Sequence, residues 1–321
     1  MITAWDVFQS SFALVLVYAV ACALKWKGIL KEEHGSFLSS LLLNVCIPAA
    51  IFASLAREPI RWNLFFGPLI MYSAEIFGLL IAFLAAGKLL RLKPAQTGAV
   101  ILCSAFGATT TVGMAFIQEL YQGQWKAFTE AVISAQVGVA ALFFVVGVPL
   151  AVFFGQHDKG LDVALRASCK FFRSPVFLSL VAGVLWNVFG LPGASDKWLG
   201  PMFKFLGLLQ GAIGLLAGLA VGLMLRPVSV RTVLGAVVVV VVVKLILMPV
   251  FTGAVAFGLG FDPMWRGVLV VLSAMPSAVI AALFCRQYGC DGPLASLLVI
   301  VSTIVSVATL PIVYSLMMRG L

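Results

Sequence analysis

The chain has 321 residues, of which 62% are hydrophobic and 10% charged, with a mean hydropathy of +1.13 and a formal net charge of +9. A water-soluble globule needs far more surface charge, so this composition excludes one and points to an integral membrane protein. Apolar runs of roughly 20 residues suit membrane-crossing helices, and the alternation of barrel strands is missing.

The first predicted span, 7–24, follows only Asp6 and lacks a positive leader, so it reads as a retained helix and not a cleaved signal peptide. Further spans are predicted at 37–55, 64–84, 97–117, 131–152, 175–189, 205–225, 233–257, 268–284 and 293–317, which makes ten. Trp5, Trp26, Trp62, Trp125, Trp198 and Trp265 fall at span ends or in links, where indole prefers the headgroup layer. Lys and Arg are concentrated in the links after spans one, three, five, seven and nine: Lys25, Lys27, Lys31, Lys88, Arg91, Lys93, Lys159, Arg166, Lys170, Arg173, Arg226, Arg231 and Arg286. The positive-inside rule then puts both termini outside the cytoplasm. The net charge is read as topology signal and contact with anionic lipid, with no nucleic-acid partner.

The longest link divides the chain into a five-helix unit at 1–153, a cytoplasmic link at 154–174 and a second five-helix unit at 175–321. Because five is odd, the second unit must run upside down relative to the first, a plan common among secondary transporters. Three sequence oddities recur at one offset. Glu75 and Lys244, both in apolar spans, lie 169 positions apart; so do Ser104 and Ser273, and Gly107 and Pro276.

Span four carries Gly107, Ala108, Thr109, Thr110, Thr111 and Gly113 at its middle, and span nine carries Met275, Pro276 and Ser277. Proline in a helix interior removes a bond and costs about 3 kcal/mol, and glycines around β-branched threonines weaken a helix further. Opened backbone at membrane depth must face protein or a water-filled cavity, so both interruptions are predicted to face inward. If the two broken helices cross, half-helix N-termini offer seats for a carboxylate and C-termini for a cation. The alternative is structural: a proline kink, with threonines bonded back to preceding carbonyls.

A buried charge at a helix centre costs roughly 2.5–3.5 kcal/mol on insertion scales, so Glu75 and Lys244 need a reason to be there. One is a structural ion pair joining spans three and eight. The other is transport, with Glu75 coupling to protons and Lys244 balancing charge beside a substrate anion. Gly214, Gly218 and Gly222 form a small-residue strip on span seven, suited to a homodimer seam or to packing within one bundle. The cysteines and the two histidines, His34 and His157, show no metal-ligand spacing, and no cofactor is expected.

At the level of motifs, the chain resembles the auxin efflux carrier family, which includes PIN-type plant auxin exporters and bacterial malonate or malate permeases. The matching stretches are Leu43-Asn44 with Ile47 to Phe52, Ser104 to Gly107, Met275 to Ala278, and Ser302 to Ser306 with Leu310-Pro311. The resemblance implies an all-α membrane fold of ten helices in a 5+5 inverted repeat with crossed, broken helices four and nine, like bile-acid sodium symporters. It implies a scaffold of spans one, two, six and seven and a transport domain of the others, moving like an elevator, with the glycine strip at the family's dimer contact. Family members usually carry Asn where this chain has Ala108, which removes an amide from the expected site.

The predicted function is therefore a secondary active or facilitative carrier of small organic anions in the bacterial inner membrane, with a proton as the candidate co-substrate. The predicted substrate-binding residues are Asn44, Gly107, Ala108, Thr109, Thr110, Pro276 and Ser277, with Glu75 and Lys244 for proton coupling or charge balance. Two other classes compete with this reading. A transporter-like sensor would need a soluble domain for which the links are too short. An intramembrane enzyme would need a Ser/His pair, paired aspartates or metal-binding histidines within the spans.

Overall fold

The computed structural model describes residues 4–57, 66–155, 169, 172–194, 196–224 and 233–319. The start of predicted span three, most of the 154–174 link, and Arg61, Trp62, Lys159, Arg166, Lys170, Arg226 and Arg231 lie outside the described residues.

The described chain is helical throughout. In order the helices are α1 (Ala4–Trp26), α2 (Glu33–Arg57), α3 (Phe66–Leu89), α4 (Pro94–Ala105), α5 (Met114–Leu120), α6 (Trp125–Phe154) and α7 (Pro175–Val188). The second part continues with α8 (Gly200–Gly211), α9 (Ile213–Met224), α10 (Leu234–Gly258), α11 (Pro263–Ser273), α12 (Val279–Tyr288) and α13 (Gly292–Arg319). By length and apolarity α2, α3, α6, α8 with α9, α10 and α13 can each cross a bilayer.

Local sequence explains where these helices begin and end. Pro94, Pro175 and Pro263 open α4, α7 and α11, where proline's missing N–H costs nothing. Asp262 caps α11 by accepting from the N–H of Met264 (2.9 Å) and Trp265 (3.2 Å), and Ser174 caps α7 through Phe177 N–H. Gly289, at φ +88°, supplies the left-handed residue that ends α12.

Several helices contain wide turns of π type: Leu42–Cys46 in α2, Leu84–Leu89 in α3, Ser134–Ala140 and Phe143–Gly147 in α6, and Val243–Leu247 in α10. Another, Thr109–Gly113, leads into α5. Such turns shift side-chain direction and loosen local bonding, and they concentrate at functional sites.

Close helix approach follows from small residues. Gly183 of α7 lies so near α2 that a Cβ there would sit 2.8 Å from Leu55 Cβ, and Asn187 donates to the Leu55 carbonyl (2.9 Å). Gly218 and Gly222 likewise lie against Val17, Tyr18 and Ala21 of α1, so these members of the small-residue strip serve packing within the chain. Arg57 lies over the Trp125 ring at 4.0 Å and donates to the Phe203 carbonyl (3.1 Å), tying α2 to α6 and α8.

Candidate functional site

The two interruptions expected from sequence meet. α4 stops at Ala105 and α11 at Ser273, and the intervening segments pair as an antiparallel bridge between Gly107 and Ser277. Ala108 N–H donates to the Pro276 carbonyl (2.8 Å), and Ala278 N–H donates to the Phe106 carbonyl (3.0 Å). Each broken helix thus satisfies backbone groups that the other leaves open, the condition for irregular backbone at membrane depth. Pro276 fits because the bridge uses its carbonyl and needs no N–H.

Gly107 is required by crowding. A Cβ there would lie 2.8 Å from Lys244 Cε, 3.0 Å from Lys244 Nζ and 3.2 Å from the Met275 carbonyl oxygen. Ser277 is held twice: its hydroxyl donates to the Cys103 carbonyl (2.6 Å), and its N–H donates to Ser302 Oγ of α13 (3.1 Å). Its side chain is committed to a carbonyl at the end of α4. Beneath the bridge, Phe106 packs edge-on against Phe143 (5.0 Å, 83°), which packs edge-on against Phe284 of α12 (5.3 Å, 85°).

Lys244 is fully buried in the wide turn of α10 and donates to the Ala105 carbonyl (2.9 Å), the last residue of α4. An ammonium at a helix C-terminus complements the partial negative charge of its open carbonyls. Glu75, also fully buried, stands on α3, and neither of its oxygens has a hydrogen-bond partner among the described residues. The ammonium's donated bond goes to the α4 backbone and not to the Glu75 carboxylate. Met248 links their surroundings: it receives a long contact from Lys244 Nζ (3.7 Å) and lies where a Cβ on Gly78 of α3 would be.

On the other side of the bridge, Thr109 is buried, Thr110 and Thr111 are half-buried, and Thr110 Oγ1 accepts from Gln136 Nε2 (3.1 Å). The helical stretch 109–120 and α12 start at opposite ends of the bridge, and their first N–H groups have no partner within their own helices. Each helix start thus lies beside the carbonyl end of the other broken helix: the Ser277 hydroxyl reaches the Cys103 carbonyl, and Gly113 lies against Leu272 and Met275.

Seven of the nine sequence-predicted site positions come together here: Gly107, Ala108, Thr109, Thr110, Pro276, Ser277 and Lys244. Glu75, fully buried on α3, makes no hydrogen bond to them. Asn44 does not join them: it is exposed on the wide turn of α2 and donates to the Ser40 carbonyl (2.8 Å) and Ser40 Oγ (3.0 Å) within its own helix.

Sequence reasoning missed two polar residues on α6. Gln136 reaches Thr110, and its Oε1 has no partner among the described residues. Glu130, placed in a link by a span starting at 131, is fully buried, accepts from Ser134 through Oε1 (3.1 Å) and packs onto Gly67. The signal available was Trp125, an interface residue, which puts Glu130 a turn and a half inside the helix.

A helical membrane bundle whose two broken helices complete each other around a buried lysine defines a membrane transport protein. The chain belongs to the family described as "Membrane transport protein", the auxin efflux carrier family, whose model matches residues 6–159 and 161–314. It is 26% identical over 308 residues to an "Uncharacterized transporter" of Methanothermobacter thermautotrophicus, covering 95% of this chain and 96% of the relative. Similarity to an uncharacterized transporter of Methanocaldococcus jannaschii is 23% over 282 residues (86% and 87% coverage). A "Putative malonate transporter" of Rhizobium meliloti is 26% identical over 280 residues (86% and 85% coverage).

Proposed function

We propose that this transporter moves small organic anions, carboxylates, across the cytoplasmic membrane by alternating access. The observation that carries the reading is the antiparallel Gly107–Ser277 bridge, from whose opposite ends two helical stretches start, one of them at Thr109 next to the half-buried Thr110 and Thr111. Helix N-termini favour carboxylates through their N–H groups and dipoles, and threonine hydroxyls add donors where the family's Asn is replaced by Ala108. The relative named for malonate supports the same substrate class.

In this reading the ten predicted spans form two inverted repeats, with α1, α2, α7 and α8–α9 as scaffold and the remaining helices as the moving unit. The packing of α1 on α9 and of α7 on α2 supports the scaffold grouping, and α1 also packs on α13 of the moving unit. Lys244 holds the carbonyl end of α4 and balances the charge of the bound anion, and Glu75 exchanges the coupled proton. Asn44 contributes from the scaffold when the moving unit approaches it. The protein resides in a bacterial inner membrane with both termini outside, and two copies associate through scaffold helices.

The test is uptake of labelled mono- and dicarboxylates into proteoliposomes under imposed pH and sodium gradients. Saturable flux of a carboxylate driven by a proton gradient is expected. Absence of flux for every anion in either gradient overturns the reading.

A further inference from the structure

Where α4 breaks off inside the bundle, its last carbonyls need donors from elsewhere. Three carbonyls between Leu102 and Phe106 are met by neutral groups. Leu102 accepts from the Phe106 N–H (3.1 Å), Cys103 from the Ser277 hydroxyl (2.6 Å) and Phe106 from the Ala278 N–H (3.0 Å). The Ala105 carbonyl differs: its donor is the Lys244 ammonium, 2.9 Å away and 139 positions later in the chain.

The head of this lysine is enclosed. A Cβ built on Gly107 would lie 3.0 Å from Lys244 Nζ and 3.2 Å from the Met275 carbonyl oxygen, so the ammonium sits where the two broken helices come closest. Met248 Sδ, 3.7 Å from Nζ, is also 2.7 Å from where a Cβ on Gly78 would be, one turn of α3 beyond Glu75. The carbonyl end of an interrupted membrane helix is where transporters built from inverted repeats coordinate an alkali cation. The resemblance to sodium symporters makes sodium the ion to test. At this end the residues do not fit it, because a covalently attached ammonium already donates to the oxygen that sodium would use.

We propose that Lys244 is a tethered substitute for a bound alkali cation: its ammonium fills the cation seat at the end of α4, the protein takes no sodium there, and removing the side chain opens that seat to sodium. Lys244 is thereby a specificity-determining residue that keeps sodium out of the set of coupling ions at this position. The proposal deepens the transport reading, on which its consequence for coupling rests. The seat itself is read by stability, so its failure and the failure of carboxylate flux are separate results.

The test follows thermal unfolding of purified full-length protein in lipid nanodiscs, in about 0.3 M sodium chloride and in choline chloride at the same ionic strength. The parent should unfold at the same temperature in both. Lys244→Ala should unfold below the parent in choline and gain about 2–4 °C in sodium, the shift expected for a ligand at roughly ten times its dissociation constant. Lys244→Met fills the seat with an uncharged chain and should gain nothing. Lys244→Ser should behave as the alanine variant does, and serves if that one is too unstable to purify. A parent stabilised by sodium overturns the assignment without any variant. So does a sodium gain that is absent from both small variants, or one that Lys244→Met shares. Failure of both small variants to fold even in sodium also overturns it, since sodium then does not serve in place of the ammonium.

Discussion

Lys244 fills the space that a side chain on Gly107 would occupy: its Cε and Nζ stand 2.8 and 3.0 Å from the position of an added Cβ. The smallest residue of one broken helix and a fully buried lysine of α10 are therefore matched in shape. Gly107→Ala is expected to destabilise the protein by about 1–3 kcal/mol, the usual range for overpacking, and to abolish transport. Combining it with Lys244→Ala should recover part of the stability, measured as thermal unfolding in detergent, because the lysine contact is removed while the Met275 carbonyl contact remains.

The donated bond from Lys244 to the Ala105 carbonyl separates charge from volume. Lys244→Met keeps an unbranched side chain of similar length and loses the ammonium. It should fold with stability within a few kcal/mol of the parent, since replacing buried charge by apolar volume is often tolerated, and should lose carboxylate uptake. Uptake at the parent rate by folded Lys244→Met would remove the lysine from the mechanism.

Glu75 of α3 and Lys244 of α10 are both fully buried. If they act as a unit in transport, Glu75→Gln and Lys244→Met will be non-additive: the double variant should lose no more activity than the worse single one. Additive losses in proteoliposome uptake would show that the two act separately.

Gln136 orients Thr110 through a 3.1 Å bond. Gln136→Leu should raise the apparent KM for carboxylate uptake several-fold with little change in unfolding temperature, as one neutral hydrogen bond is worth about 1 kcal/mol. Thr110→Val should do the same, and the two together should be less than additive.

Gly67 of α3 lies directly under the carboxylate of Glu130. Gly67→Ala should destabilise by about 1–3 kcal/mol through overpacking. The loss should shrink when Glu130 is also changed to alanine, which measures how tightly the missed carboxylate holds α3 to α6.

The parts of this architecture that the sequence made legible are those with a composition or helix-breaking signal. Gly107 and Pro276 announce opened backbone because no apolar helix needs them, and charges at Glu75 and Lys244 stand out against valines and phenylalanines. What stayed hidden was direction. The wide turn at Leu42–Cys46 leaves Asn44 exposed and bonded to Ser40, and no composition rule marks such a turn. Ser277 looked like a ligand donor, but its hydroxyl is spent on the Cys103 carbonyl, a bond between residues 174 positions apart that local pattern cannot reveal. Glu130 was lost at a span boundary, where hydropathy blurs and burial depends on what α3 presents opposite.

The Gly107–Ser277 bridge also bears on how the chain is made. The Phe106 carbonyl and the Ala108 N–H find their partners in residues 276 to 278. At a synthesis rate of ~5–20 residues per second, the first interrupted helix waits on the order of ten to thirty seconds for its complement. During that interval its broken middle has no mate in lipid, so the nascent protein must shelter that segment against water, the insertion machinery or neighbouring helices until the last third of the polypeptide emerges.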